Sequence, residues 1–392
     1  MAPWHFGPNS WPRHTGADVR CDWFPQGVPH LSRSGRVSWA VEDVFAELPS
    51  GLYMRPAAAK DRGMPTRRLA VGLTPMETRR EVVLHLADRA EELGYDAFFL
   101  AEGWGHDAGV LLAEVATRTN RITLGTGIVN VWGRTPASIA MLATSLAELS
   151  GDRFVLGLGA GSPPLAEGFH DVAFTAPVER LGAVTRQVRR LLTGQRLEPT
   201  AEPTTRPLKL AVTPQTEIPI YLAALGPVAT RLSGELADGW CPFLLPLSGL
   251  DPGVRLLEEG MARGAPGRML PTIAPCIPTA VSADPAKARE VASWWVSFYL
   301  VSMGPLYRQT LVRLGHGRAV EEVLAANPTP RTFDVPESAR TLLDELTLWG
   351  DPEHARTALD RWYAAGAQMP TLTLPPGRPI EDLDDILESL RP

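Results

Sequence analysis

A chain of 392 residues, 44% hydrophobic and 21% charged, carries enough apolar material for one large globular domain or two ordinary ones. Its net charge of −6, with no long basic tract, excludes a general nucleic-acid or acidic-membrane binder. Three scattered cysteines, Cys21, Cys241 and Cys276, exclude a disulfide framework and point to a reducing cytoplasm, and no apolar run reaches the roughly 20 residues of a membrane span.

Residues 1–63 hold four tryptophans (Trp4, Trp11, Trp23, Trp39) among many prolines, glycines and arginines, and only residues 39–48 have helical spacing. The start has no apolar stretch of the secretory type. Two readings stand for this extension: a segment with little fixed structure ahead of the ordinary-looking start at Met64, or an arm that packs on a partner subunit through its tryptophans.

From Leu69 onward the chain alternates. The strand LAVGLT is followed by a helix that stops at Gly94, then strand YDAFFLAE and helix AGVLLAEVATRT. Strand RITLGTGIVN leads to a helix with Thr135 as N-cap and Pro136 at its first position. Strand RFVLGLGAG and a helix ending at Gly194 follow, then a Pro/Thr-rich excursion over 197–217. Strand IPIYLAAL, helix PVATRLSGELADG, strand WCPFLL, helix GVRLLEEGMARG and strand TIAPCIPTAV continue the series. Helical patterns fill 284–350, including ESARTLLDELTLWG as one helix, before a further helix, the strand MPTLTL and a closing helix. Eight continuous apolar strands separated by helices predict an α/β protein, a (β/α)8 barrel with insertions near 197–217 and 296–340 over residues 64–392; a doubly wound open sheet is the alternative. Both insertions are expected to act as substrate lids.

In a barrel, chemistry belongs at the C-terminal strand ends. Gly157, Gly159 and Gly161 end the fourth strand but precede Ser162-Pro163-Pro164, which is not expected to run straight into a helix, so a dinucleotide fingerprint is disfavoured. The glycines instead bare the barrel mouth for a flat ligand, or serve a tight strand crossing that needs no ligand. AALGPVATRL, 223–232, is the phosphate candidate, because Gly226 turns into a helix started by Pro227 and the free N–H groups there bind anions. Glu102 is placed to take a proton or hold a ring N–H, or else pairs with Arg134. Asn130 and Trp132 follow the third strand as hydrogen-bond donors, stacking groups or structural residues. His106 and His170 are candidate bases or solvated loop residues, and no HxH or HExxH pair supports a metal site. Ser162 is not in a G-x-S-x-G elbow. Trp132, Trp240 and Phe243 are read as an apolar substrate wall.

Taken together, GYDAFFLAE, RITLGTGIVNVWGRTPASIAMLATSLAELSGDRFVLGLGAGSP and IPIYLAALGPVATRLSGELADGW resemble the bacterial luciferase-like monooxygenase superfamily. SFYLVSMGPLYRQTLVRLG and WGDPEHARTALDRWYAAGAQMPTL resemble its deazaflavin-dependent branch, which includes methylenetetrahydromethanopterin reductase. The resemblance implies a barrel holding FMN or the deazaflavin coenzyme F420, with Ala224, Leu225 and Gly226 at the phosphate. Gly127 and Ile128 would carry a non-prolyl cis peptide against the ring, Asn130 would lie near the ring's polar edge, and Gly159, Gly161 and Ser162 would line the opposite wall. It implies an oxidoreductase acting on a small organic substrate by hydride transfer or oxygen insertion, with a reductase supplying reduced coenzyme and a homodimeric assembly. A non-catalytic flavin-binding barrel is the alternative. Two departures stand out. Glu102-Gly103 lacks the histidine that deazaflavin members often carry after the acid, and Ser162 stands where some members have a glutamate. The proton donor is therefore open among Glu102, His106 and His170.

Overall fold

The computed structural model describes residues 67–392, apart from residues 201, 203 and 330. The tryptophan-rich segment and its helix at 39–48 lie outside the described residues, and everything below concerns the compact unit Gly63–Pro392.

The strands are short and buried on both faces, which is what continuous apolar runs require of a parallel sheet covered by helices. β1 (Ala70–Leu73), β2 (Ala97–Leu100) and β3 (Thr123–Thr126) pair in sequence, with Val71 opposite Phe98 and Phe98 opposite Leu124. β4 (Val129–Asn130) continues the third stave and pairs with β5 (Phe154–Gly159), as β3 does lower down. β6 (Ile220–Ala223) and β7 (Gly239–Trp240) extend the sheet to β8 (Thr272–Ile273). Past Pro275 the same stave resumes as β9 (Cys276–Val281), which pairs with β11 (Thr371–Leu374), and β11 returns to β1. Eight staves thus close a parallel ring, as the alternation predicts, and the open-sheet alternative falls.

Helices α1 (Arg80–Glu92), α2 (Ala108–Arg118), α3 (Pro136–Ser150), α4 (Pro163–Ala166), α5 (Pro177–Leu192), α6 (Pro227–Leu236) and α7 (Leu250–Met261) fill the connections in the first part of the chain. Thr135 caps α3 by accepting from the Ser138 N–H at 3.2 Å, with Pro136 at the first position. α4 corrects an expectation: Ser162-Pro163-Pro164 does run into a short helix. A proline there lacks an N–H that would have had no helical partner anyway.

Three apolar clusters hold the unit. The largest fills the layer between ring and helices. A second lies inside the ring and is built from small residues, Ala70, Ala97, Cys241 and Ala274 among them, around Phe99 and Tyr221, whose rings stack at 6.3 Å. The third lies under α8 (Pro285–Ser302), α9 (Pro305–Arg313), α10 (Gly317–Ala326) and α11 (Thr341–Leu346). The single helix expected over 337–350 is instead α11 followed by β10 (Leu348–Gly350), which pairs with the far half of β9. Tertiary pairing with Thr279–Val281 overrides the helical spacing. α12 (Pro352–Ala364) and α13 (Ile380–Ser389) complete the ring.

The two insertions part company. Segment 197–217 joins the C-terminal end of α5 to the N-terminal end of β6. Arg189, near the end of α5, donates to Asp238, which also accepts from the Ile220 N–H at 2.9 Å. The segment therefore lies at the barrel floor, opposite the mouth, and is not a lid. The other insertion, 296–340, reaches the mouth, where Arg313 donates to the Leu225 carbonyl at 2.9 Å.

Candidate active site

The phosphate candidate is a built turn. Gly226 is the N-cap of α6, with φ −76 and ψ 149, and a Cβ added there meets nothing within 4 Å. Two of the neighbouring carbonyls are tied back: Ala224 O accepts from Trp240 Nε1 at 2.9 Å, and Leu225 O accepts from Arg313. Gly226 O takes the Thr230 N–H at 2.9 Å. The first N–H groups of α6 have no intrahelical acceptor, and the positive end of the helix faces the same opening. Trp240 is 1% exposed and its ring packs against Gly253, so it shapes this turn from behind and is not part of a substrate wall.

Beside the turn, the peptide bond Gly127–Ile128 is cis, where β3 gives way to β4. The Thr126 hydroxyl bridges the interrupted ladder: it accepts from Gly157 N and donates to Gly157 O, each at 2.8 Å. This arrangement accounts for the glycines of β5. A Cβ at Gly157 would lie 2.0 Å from the Thr126 carbonyl, and one at Gly159 would lie 2.8 Å from Ile128 Cδ1. Gly161 has φ +61, and its Cβ would sit 3.3 Å from Leu165. The tight-crossing reading is the correct one for Gly157 and Gly159. Their missing side chains admit the neighbouring stave, not a bare face for a ligand. Ser162 caps α4 through its backbone, with its carbonyl accepting from Leu165 and Ala166.

The three candidate proton donors are not brought together. Glu102, 10% exposed in its side chain, accepts from Arg134 at 3.2 and 2.8 Å and from the Ala108 N–H, so it is the ion-pair partner and not a free base. Arg134 also meets Asp107 at 2.5 Å. Burial acts to raise the Asp107 carboxyl, but Arg134 and the amides of Val110 and Gly109 hold it below its usual range. Gly103, the position of the missing histidine, is pressed on Pro75; a Cβ there would lie 2.7 Å from two ring carbons. His106 is exposed and its Nε2 lies 3.0 Å from the Thr78 carbonyl.

Asn130 and His170 do meet. Asn130 is fully buried; its Oδ1 accepts from the N–H groups of Trp132 and Gly133, each at 2.9 Å, and its Nδ2 faces His170 Nε2 at 3.2 Å. Because two backbone donors fix the amide's orientation, Nε2 is the acceptor and the ring carries its proton on Nδ1. Asn130 thus spends its oxygen on the 131–133 backbone and turns its amide nitrogen to His170. Trp132 is likewise structural: its Nε1 donates to Ala160 O at 2.5 Å, Arg180 lies 4.5 Å over its ring, and Phe174 packs beside it.

Phe243 packs among aromatic side chains of the helical insertion. It lies just past β7 and bridges Cys276 at the start of β9. Its ring meets Tyr299 at 4.8 Å, Tyr307 at 6.2 Å and Trp295 at 6.2 Å, all from α8 and α9. Sequence reasoning missed these tyrosines, as it missed Thr126 and Arg313. Inside the ring, burial pushes the Cys241 thiol well up and the Cys276 thiol to about 12, so neither is a thiolate nucleophile. Among the described residues no group of three His, Cys, Asp or Glu side chains is placed to hold a metal, and no helix is long and apolar enough to cross a membrane.

The profile of the luciferase-like monooxygenase family matches residues 65–369. A putative coenzyme F420-dependent oxidoreductase of Mycobacterium tuberculosis is 31% identical over 333 residues, covering 80% of this chain and 95% of that protein. The 5,10-methylenetetrahydromethanopterin reductase of Methanolobus tindarius is 26% identical over 217 residues, 55% of this chain and 66% of its own. Among solved structures, the coenzyme F420-dependent tetrahydromethanopterin reductase from Methanopyrus kandleri superposes with a TM-score of 0.70 at 19% identity, over 83% of this chain and 97% of that one. The oxygenating constituent of 3,6-diketocamphane monooxygenase of Pseudomonas putida, in complex with FMN, gives 0.62 at 16% identity, over 83% and 97%. At such identities the structures speak for the fold.

Proposed function

The chain belongs to the luciferase-like monooxygenase family, and from that premise we propose that it is an F420-dependent oxidoreductase that moves a hydride between the coenzyme and a small organic substrate at the barrel mouth. The observation that carries this reading is the open turn at Gly226: an N-terminal helix end with empty space at the glycine and with its flanking carbonyls drawn away by Trp240 and Arg313. That cradle fits a coenzyme phosphate, which needs amide donors and no nearby carbonyl oxygens. The names of the relatives, F420-dependent in the longest match, favour the deazaflavin over FMN.

When bound, the reduced coenzyme supplies the hydride, and the protein's part is to hold, orient and shield. The α6 amides would hold the phosphate. Gly127 and Ile128, held in place by the Thr126 bridge to Gly157, would offer the surface for the ring. The clamp of Glu102, Arg134 and Asp107 and the bonds of Asn130 to the 131–133 backbone keep the loops after the second and third staves rigid around it.

The test is a titration of purified coenzyme-free protein with F420 and with FMN, followed by tryptophan fluorescence. Micromolar binding of F420 alone supports the proposal. Tight binding of FMN alone redirects it to a monooxygenase fed by a separate reductase. Binding of neither refutes it, and binding of F420 without any substrate turnover leaves the non-catalytic carrier.

A further inference from the structure

Five tyrosines lie among the described residues, and they divide sharply. Tyr95 donates its hydroxyl to Leu387 O and Tyr363 to Arg68 O, each at 2.8 Å, and Tyr221 bonds Thr272. Tyr299 and Tyr307 have no hydrogen-bond partner among the described residues, although Tyr299 is 5% exposed and Tyr307 is half-buried. A buried phenol ordinarily finds an acceptor, because leaving the hydroxyl unpaired costs stability. Neither hydroxyl is sealed in the interior, so each is open to a partner from outside the protein, and the two rings stand with their centroids 5.3 Å apart.

Their place is specific. Both rings meet Phe243, which lies just past the C-terminal end of β7 and bridges Cys276 at the start of β9, so the group stands at the mouth on the side of β7 and β9. Met76, from the loop that follows β1, packs against the same cluster. The surrounding rings, Trp295 among them, are apolar or neutral. Burial pushes both phenols up, so each is a protonated donor throughout the neutral range.

We propose that Tyr299 and Tyr307, with Phe243, form the substrate cup of the mouth and that their hydroxyls donate hydrogen bonds to a neutral, largely apolar substrate carrying an accepting oxygen, of the ketone or aldehyde class. The inference rests on the mouth being the active site, as the proposed function has it. A charged substrate group is disfavoured here, because the cup's rings offer it no counter-charge as it leaves water. The two phenols are specificity residues that bind the oxygen of the reacting group.

The experiment compares binding of acetophenone and of α-methylstyrene, its hydrocarbon isostere, by calorimetry, to wild type, Tyr299→Phe, Tyr307→Phe and the double variant. Wild type binds the ketone more tightly, and each substitution lowers ketone affinity by about fivefold to tenfold while leaving the hydrocarbon unchanged. The variants melt at or above the wild-type temperature, because no internal bond is lost. The inference is overturned if wild type shows no preference or binds neither probe, if the double variant keeps the preference, or if the variants melt lower, which would show the hydroxyls bonded within the protein. Coenzyme titration of the same variants keeps the two claims apart: F420 binding unchanged with ketone preference lost supports both. Ketone preference without any coenzyme binding refutes the proposed function alone.

Discussion

Gly226→Asp tests the phosphate turn with little disturbance to the fold. The backbone at Gly226 is extended with negative φ, open to any residue, and a Cβ there meets no atom within 4 Å. An aspartate at an N-cap is favourable in its own right: Asp107 accepts from the N–H groups of Gly109 and Val110 at 2.8 and 3.1 Å, and Asp284 accepts from Ala286 at 2.9 Å. Stability should therefore hold or rise by a few tenths of a kcal/mol. For a phosphate the consequences are opposite. The new carboxylate takes the same amides of Val228 and Ala229 and sets a negative charge about 4 Å from the anion, a repulsion of about 1 to 4 kcal/mol in a partly solvated site. Losing a charge-assisted amide bond adds about 1.5 to 3 kcal/mol. Together these amount to roughly a hundredfold to a hundred-thousandfold loss of coenzyme affinity at an unchanged melting temperature. Gly226→Ala is the control; it adds the methyl without the charge and should stay within a few-fold of wild type. Fluorescence titration and a thermal melt on the same preparations decide it. Affinity of Gly226→Asp within threefold of wild type would refute the assignment of the phosphate to α6.

Three further outcomes follow from the same geometry. Trp240→Phe strips the donor from Ala224 O and leaves a void beside Gly253; it should destabilise the fold by about 2 to 4 kcal/mol in denaturant melts and weaken coenzyme binding several-fold, and an unchanged melt would show the turn does not depend on that bond. Asn130→Ala orphans two buried N–H groups and should cost about 3 to 5 kcal/mol; a loss under 1 kcal/mol would mean that Trp132 and Gly133 find other acceptors. At Glu77, burial acts to raise the carboxyl, but the Arg79 side chain, the Arg79 amide and the Gly377 amide hold it below its ordinary value of 4.5. The folded value is the lower one, so its contribution is complete above pH 4.5 and is lost as the pH falls through the folded value. Glu77→Gln should flatten that acid limb of the stability curve, and an identical acid limb in the variant would remove Glu77 from the account.

Much of this was readable in the sequence because each strand and helix states its own period. The eight staves, the Thr135–Pro136 helix start and the Gly226–Pro227 turn are local patterns. What the sequence left open was what fills the space next to a residue, although the pair of Glu102 with Arg134 and the tight strand crossing stood among its alternatives. Gly157 and Gly159 advertise missing side chains, but only the three-dimensional fold shows that Thr126 O and Ile128 occupy the gap. Trp132 and Trp240 look like an exposed wall in sequence and turn out to donate to the backbone carbonyls of Ala160 and Ala224. The misplaced lid is a different error. Segment 197–217 lies between a helix and the strand after it, and in an alternating barrel such connections belong to the floor, so the order of elements already held the answer. Tyr299 and Tyr307 gave no such signal, because an aromatic stripe on a helix reads as core until its hydroxyls are seen to lack partners.

The departure at Gly103 shows how the site differs from the pattern it resembles. A histidine there has no room, since Pro75 already touches the position, and the preceding acid is locked to Arg134. The stave-two end, where the resemblance would put proton chemistry, is thus built as a rigid clamp. The opposite rim is built the other way: α9 carries Arg313, bonded to the phosphate turn at Leu225, and Tyr307, packed on Phe243. A nine-residue helix spans about 13 Å, so one rigid element sets the position of both the anion turn and the substrate cup. On the proposed reading, polar recognition lies with the insertion after β9 and not with the loop after β2, and the distinctive chemistry of this chain is to be sought on that side.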